Sequence, residues 1–129
     1  MGAQPGEADM NHEFRYDVVQ DIIMGRVHGR LDAAVAKNVA TDLARLVGEH
    51  GCRRLLMDLR GAQVTSSTLG IYSIPRVVKE AGVSGGIKRA LVVAEITQDF
   101  EFLETTLVNA GNLVKLFTDP EAALTWLKG

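Results

Sequence analysis

The chain is 129 residues long, 47% hydrophobic and 23% charged, with a single cysteine, so one domain with its own core is expected and an internal disulfide is excluded. Fourteen basic against sixteen acidic side chains leave a formal charge of -2 and aromatics make up only 5%, which excludes a protein built to bind nucleic acid through a basic, base-stacking surface. No apolar run approaches the ~18 residues of a membrane-spanning helix, and the polar start lacks the basic and apolar regions of a signal peptide, which predicts a soluble, cytoplasmic protein.

Residues 1–13 are polar, carry glycine and proline and show no periodicity, so they read as a disordered leader, with a single domain over residues 14–129. Residues 14–19 and 22–28 are rich in β-branched side chains and flank Gln20-Asp21, the pattern of a hairpin. Asp32 is placed to cap a helix whose apolar positions Val35, Val39, Leu43, Leu46 and Val47 recur at three and four, and Gly51 to end it in the left-handed region. Residues 55–59 form a short run apolar on both faces, the mark of a buried parallel strand.

Residues 63–68 read as a polar loop of hydroxyls, after which Leu69, Ile71, Ile74, Val77 and Val78 resume helical spacing. Pro75 requires either that this helix start near Ser73 or that a longer one bend there. Residues 90–94 read as a second buried strand, and residues 97–110 as a helix with Phe100, Leu103 and Leu107 on one face, ended by Gly111. Residues 113–117 form a last strand, and Thr118-Asp119-Pro120-Glu121 combines a capping box with an early proline to open a final helix. The order β-β-α-β-α-β-α-β-α predicts an α/β fold with a mixed, mostly parallel sheet.

Charge is unevenly spread, at a net -3 over residues 1–44, +5 over 45–94 and -4 over 95–129. The basic middle, with Arg45, Arg53, Arg54, Arg60, Arg76, Lys79, Lys88 and Arg89, is either a patch for an anionic partner or membrane surface or a surface balanced in space by the acidic ends. Reactive chemistry is sparse. His12, His28 and His50 have no ligand spacing, Cys52 has no identifiable partner base, and neither a phosphate loop nor a Gly-x-Ser-x-Gly elbow is present. The reading is a non-enzymatic protein without metal or cofactor. The hydroxyl cluster Thr65-Ser66-Ser67-Thr68 is the most informative local feature, because it follows a buried strand and precedes a helix. A phosphate on Ser66 or Ser67 would add about -1.5 to -2 charge beside helix N-terminal N–H groups.

Asp58-Leu59-Arg60-Gly61 followed by Thr65-Ser66-Ser67-Thr68-Leu69-Gly70 resembles the STAS superfamily, typified by bacterial anti-sigma factor antagonists, in which an Asp-Leu-Ser-Gly strand leads to Asp-Ser-Ser-Gly-Leu-Gly. That resemblance implies a regulatory serine at Ser66, with Thr65 standing where the family has aspartate and Thr68 where it has glycine. Over most of the chain a further resemblance runs to SpoIIAA-like (STAS/SEC14) bacterial proteins. It is carried by Ser67-Thr68-Leu69-Gly70-Ile71-Tyr72-Ser73-Ile74-Pro75, by Phe100-Glu101-Phe102-Leu103-Glu104-Thr105, and by the ending Phe117-Thr118-Asp119-Pro120-Glu121-Ala122-Ala123-Leu124-Thr125-Trp126-Leu127. It implies a module that acts by binding a protein partner, modulated at Ser66 or Ser67, with Thr65, Thr68, Leu69, Ile71, Tyr72, Ile74, Pro75 and Val78 as its interaction or ligand-binding surface. The alternative it leaves open is a carrier or sensor of a small lipophilic ligand with peripheral membrane contact. Trp126 and the last helix offer a surface for a homodimer.

Overall fold

The computed structural model describes residues 11–65 and 67–129. Strands β1 (His12–Asp17) and β2 (Ile22–Leu31) form the hairpin. Helix α1 (Ala33–His50), strand β3 (Arg54–Val64), helix α2 (Thr68–Glu80), strand β4 (Lys88–Val92), helix α3 (Gln98–Asn109), strand β5 (Val114–Phe117) and helix α4 (Pro120–Lys128) follow. Every expected element is present, in the expected order.

The differences lie at element ends, and each has a local cause. Residues 1–10 of the expected leader lie outside the described residues, whereas His12 and Glu13 already belong to β1. Val18 and Val19, read as strand from their branching, sit in the hairpin turn because the Asp17 carboxylate accepts the N–H groups of Val19 and Gln20 at 3.1 Å each and so folds the chain back early. The last helix is capped by Asp119 rather than Thr118, the aspartate accepting the Glu121 N–H at 3.1 Å. The cap and stop signals of α1 act as read: Asp32 accepts the Val35 N–H at 2.9 Å, and Gly51, at φ 63, donates to the Val47 carbonyl at 2.8 Å.

Strand order in the sheet is β1-β2-β3-β4-β5, antiparallel only between β1 and β2. Because β2 to β5 are laid down in one direction, right-handed crossovers put all three connecting helices on the same face. Helices α1, α2 and α3 accordingly pack side by side over the main core, which includes Ile23, Val27, Leu43, Leu55, Ile71, Ile74, Leu91 and Leu103. Among the described residues helix α4 alone covers the opposite face, over β3, β4 and β5, with Ile22, Leu56, Ala90, Val92, Ala123 and Leu127 between.

One cation is buried within this frame. Arg89 is 5% exposed, and burial pushes its guanidinium down to about 10. Its Nε donates to the Ile87 carbonyl at 3.1 Å and its Nη2 to Asn112 Oδ1, while Asn112 Nδ2 donates to the Leu107 carbonyl at 2.9 Å. The arginine thereby ties the start of β4 to the turn between α3 and β5.

Candidate functional site

The hydroxyl loop sits where β3 outruns its neighbour. β3 pairs with β4 only from Arg54 to Asp58 but continues beside β2 as far as the Leu31↔Val64 pair. The Thr65 N–H extends that ladder by donating to the Leu31 carbonyl at 3.0 Å. The chain then turns into α2, whose N-cap is Ser67: its Oγ accepts the Gly70 N–H at 3.2 Å and its carbonyl accepts the Ile71 N–H at 2.9 Å. Ser66 lies outside the described residues, and Thr68 and Leu69 are described only as the first residues of α2.

The structure divides the remaining predicted surface residues in two. Thr65, Ser67 and Tyr72 are exposed, Tyr72 by 70%. Ile71, Ile74 and Val78 are buried members of the main core, so these three are corrected from surface to interior; their spacing of three and four is the packed stripe of α2. Pro75 is half-buried inside α2, which starts at Thr68 and not near Ser73. Its missing N–H deprives the Ile71 carbonyl of its usual partner four residues on. Ser73 Oγ donates back to the Gly70 carbonyl at 2.7 Å. Exposed Glu95 and Ile96, between β4 and α3, and Asp99 in the first turn of α3 belong to the same C-terminal edge of the parallel strands.

Two cavities bear on the ligand alternative. Ile74 and Val78 help line an apolar space of about 100 Å³ in the main core, together with Val27, Leu31, Leu43 and Leu103. A wider groove of about 510 Å³ lies on the opposite face, between α4 and the exposed part of β1 and β2 beyond Ile22. Its floor is polar. Arg26 Nη2 donates to Glu13 at 2.6 Å, and Arg60 grips both carboxylate oxygens of Asp58 at 3.0 Å. Those bonds hold the Asp58 carboxyl below the usual carboxylate value of 3.8. The signal for this face was in the sequence as polar residues two apart, Glu13 with Arg15 and Asp58 with Arg60, the period of one side of a strand.

The basic middle segment does not form one patch. Arg89 is buried, Arg54 is bound to the Gln20 and Asp21 carbonyls at 3.1 and 3.2 Å, and Lys88 Nζ donates to the Trp126 carbonyl at 2.5 Å beneath the indole. Arg60 is committed to Asp58. Trp126 itself packs on Phe117, ring centroids 5.7 Å apart. His12 bonds Asp42 at 2.7 Å, and His50 stacks on Tyr16 at 4.2 Å. Cys52 is fully buried, its thiol pushed up by burial and donating to the Asp21 carbonyl at 3.3 Å. Among the described residues no three His, Cys, Asp or Glu side chains gather to hold a metal ion, and no helix is long and apolar enough to cross a membrane.

No protein-family model matches the chain, and no curated protein sequence does. Solved structures do match. An anti-sigma factor antagonist from Mycobacterium paratuberculosis superposes with a TM-score of 0.60 at 16% identity, over 92% of this chain and 95% of that one. The anti-sigma factor antagonist SpoIIAA in its unphosphorylated form gives 0.51 at 12% identity, over 91% of this chain and 99% of that one. The chain therefore has the SpoIIAA-like STAS fold expected from the residue resemblance, spanning nearly the full length of both proteins.

Proposed function

We propose that the chain is a non-enzymatic, regulatory protein-interaction module that docks a protein partner in the cytoplasm through the C-terminal edge of its sheet. The observation that carries this reading is the fold, shared over nearly its whole length with anti-sigma factor antagonists. The position of the hydroxyl loop supports it: the loop stands on the projecting end of β3, and Tyr72 is displayed beside it on α2.

Ser66 or Ser67 is where the docking would be switched. Ser67 Oγ already accepts a helix N–H, so the charge of a phosphate there is stabilised by the positive end of α2. The added charge makes the C-terminal edge, which already carries exposed Glu95 and Asp99, more acidic and less able to receive an acidic partner surface.

A photo-crosslinking amino acid at Tyr72, in protein expressed in its own cells, tests the surface. One protein captured from Tyr72 but not from a control at Val19, with capture lost in Ser66→Asp or Ser67→Asp, is the expected result. Equal capture from both positions, or capture indifferent to both substitutions with no phosphate found by mass spectrometry, refutes the reading. The lipid-carrier alternative has less support, because the apolar space beside Ile74 and Val78 is about 100 Å³, against the roughly 300–1,000 Å³ of small-molecule sites.

A further inference from the structure

We propose that the outer edge of β1 pairs with the same edge of a second copy, joining two five-stranded sheets into one of ten strands around a twofold axis. β1 is the terminal strand of the sheet, and among the described residues its far side has no strand partner. The direction of its backbone groups follows from the ladder it forms with β2. The His28 N–H donates to the Asn11 carbonyl at 2.9 Å, one step beyond the His12↔Val27 pair. Antiparallel ladders alternate, so Glu13, Arg15 and Asp17 exchange bonds with β2, while His12, Phe14 and Tyr16 aim their N–H and carbonyl groups outward.

A second β1 must use those same three residues, which limits an antiparallel pairing to a few registers. With Phe14 facing Phe14, His12 faces Tyr16 and Glu13 faces Arg15 on both sides of the axis. The Glu13 and Arg15 pairs are then the non-hydrogen-bonded ones, whose side chains approach most closely. Sliding the strands by two residues in one sense sets Glu13 against Glu13, and in the other sets Arg15 against Arg15 and Glu13 against Asp17. Charges on an edge strand ordinarily keep a second copy away. Here their order makes one register attractive and its neighbours repulsive.

The side chains are free to do this. Glu13 uses only Oε1 for Arg26, and Arg15, exposed, is in no ion pair among the described residues. On the core side the strand is anchored by His12 on Asp42 and by Tyr16 on Asp21 and His50, so it is presented in a fixed conformation. Six residues of edge give a small interface, and the dimer is accordingly concentration-dependent.

Sedimentation of the full chain over about a hundredfold concentration range tests the proposal. A monomer–dimer equilibrium is expected. Arg15→Glu and Glu13→Lys should each weaken self-association about tenfold or more. An equimolar mixture of the two should restore it, because each Glu then meets a Lys or Arg. Circular dichroism checks that both variants fold. In the wild type, exchange of the Phe14 and Tyr16 amides should slow as concentration rises. A wild type that stays monomeric, a mixture no better than its components, or a dimer that leaves these amides unprotected overturns the proposal.

Discussion

Gly25 offers the sharpest test of how the hairpin is held to the core. In the register of the sheet it lies between Phe14 on β1 and Met57 on β3, and a Cβ built there would stand 2.5 Å from Phe14 Cε1, 2.7 Å from Phe14 Cδ1 and 2.9 Å from Met57 Sδ. Carbon contacts are optimal at about 3.5–4.0 Å, so Gly25→Ala forces the phenyl ring aside by about 1 Å. Overpacking of this kind costs about 1–3 kcal/mol. Against it stands the ~0.4–1 kcal/mol that an alanine gains by restricting the unfolded chain, at a position whose φ is not in the left-handed region. The net expectation is a loss of about 1–2 kcal/mol, seen in urea denaturation as a lower midpoint with an unchanged slope. Met57 can move its sulfur, whereas the ring must turn about its χ1, so the strain should reside in Phe14. Combining Gly25→Ala with Phe14→Leu should therefore cost less than the sum of the two single changes by about 0.5 kcal/mol or more. A Gly25→Ala protein as stable as the wild type, or strict additivity in the double variant, would refute the close approach of ring and glycine.

Other expectations follow from single contacts. The Asp21 carboxylate, by accepting the Tyr16 hydroxyl, holds that phenol up at about 12 from its usual 10.0. This contact stabilises the fold fully below pH 10 and its contribution is lost as the pH rises toward 12; in Tyr72→Phe, ultraviolet titration should show the remaining phenol ionising near 12, and a midpoint at 10 contradicts it. The Asp58 carboxyl is held below 3.8, chiefly by its bonds from Arg60, so its contribution is present above pH 3.8 and lost as the pH falls through its lowered value. Asp58→Asn should flatten the acid limb of a stability–pH curve, and an unchanged limb counts against the pair. Asp32→Ala, which removes the α1 cap, should cost about 1 kcal/mol in the same urea assay. Ile74→Ala should cost about 2–5 kcal/mol, as expected for a core residue and not for a surface one.

Where sequence and structure agree, the signal was physical and local. Asp32 and Gly51 delimit α1 because a cap and a left-handed stop act within a few residues, and Asp119-Pro120 opens α4 for the same reason. The length of β3 was not legible, because Gly61, Ala62 and Gln63 carry little strand preference and extend only through their pairing with β2. The candidate surface was half legible. Helical spacing showed that Ile71, Ile74 and Val78 share a face of α2, but it could not show that this face is the buried one, which depends on α1 and α3 lying alongside. The polar alternation of the groove face was legible in Asp58 and Arg60, but the groove itself was not, because its Glu13–Arg26 pair forms only across the hairpin and because nothing in the sequence shows that α4 leaves β1 uncovered.

The winding of the sheet bears on which of the functional readings the molecule can accommodate. Open α/β sheets hold small molecules in the crevice where strand order reverses and two adjacent crossovers part to opposite faces. From β2 to β5 this sheet has no reversal, so its three crossover helices close ranks on one face and the winding provides no such switch-point crevice. What the C-terminal edge presents instead is relief: a β3 that overshoots β4, a capped helix start at Ser67 and an exposed tyrosine. Relief of that kind is suited to another protein surface, while the apolar space in the main core is about 100 Å³ and is lined by Ile74 and Val78, which a lipid would have to displace. A carrier built on this frame would need α2 to move away from the sheet, and the opening would have to begin at Pro75, where the helix already lacks a backbone bond. Pro75→Ala restores that N–H and should raise stability by about 1–3 kcal/mol. Under the docking reading, capture of the partner from Tyr72 is then unchanged, whereas a carrier that depends on the motion of α2 would lose its ligand.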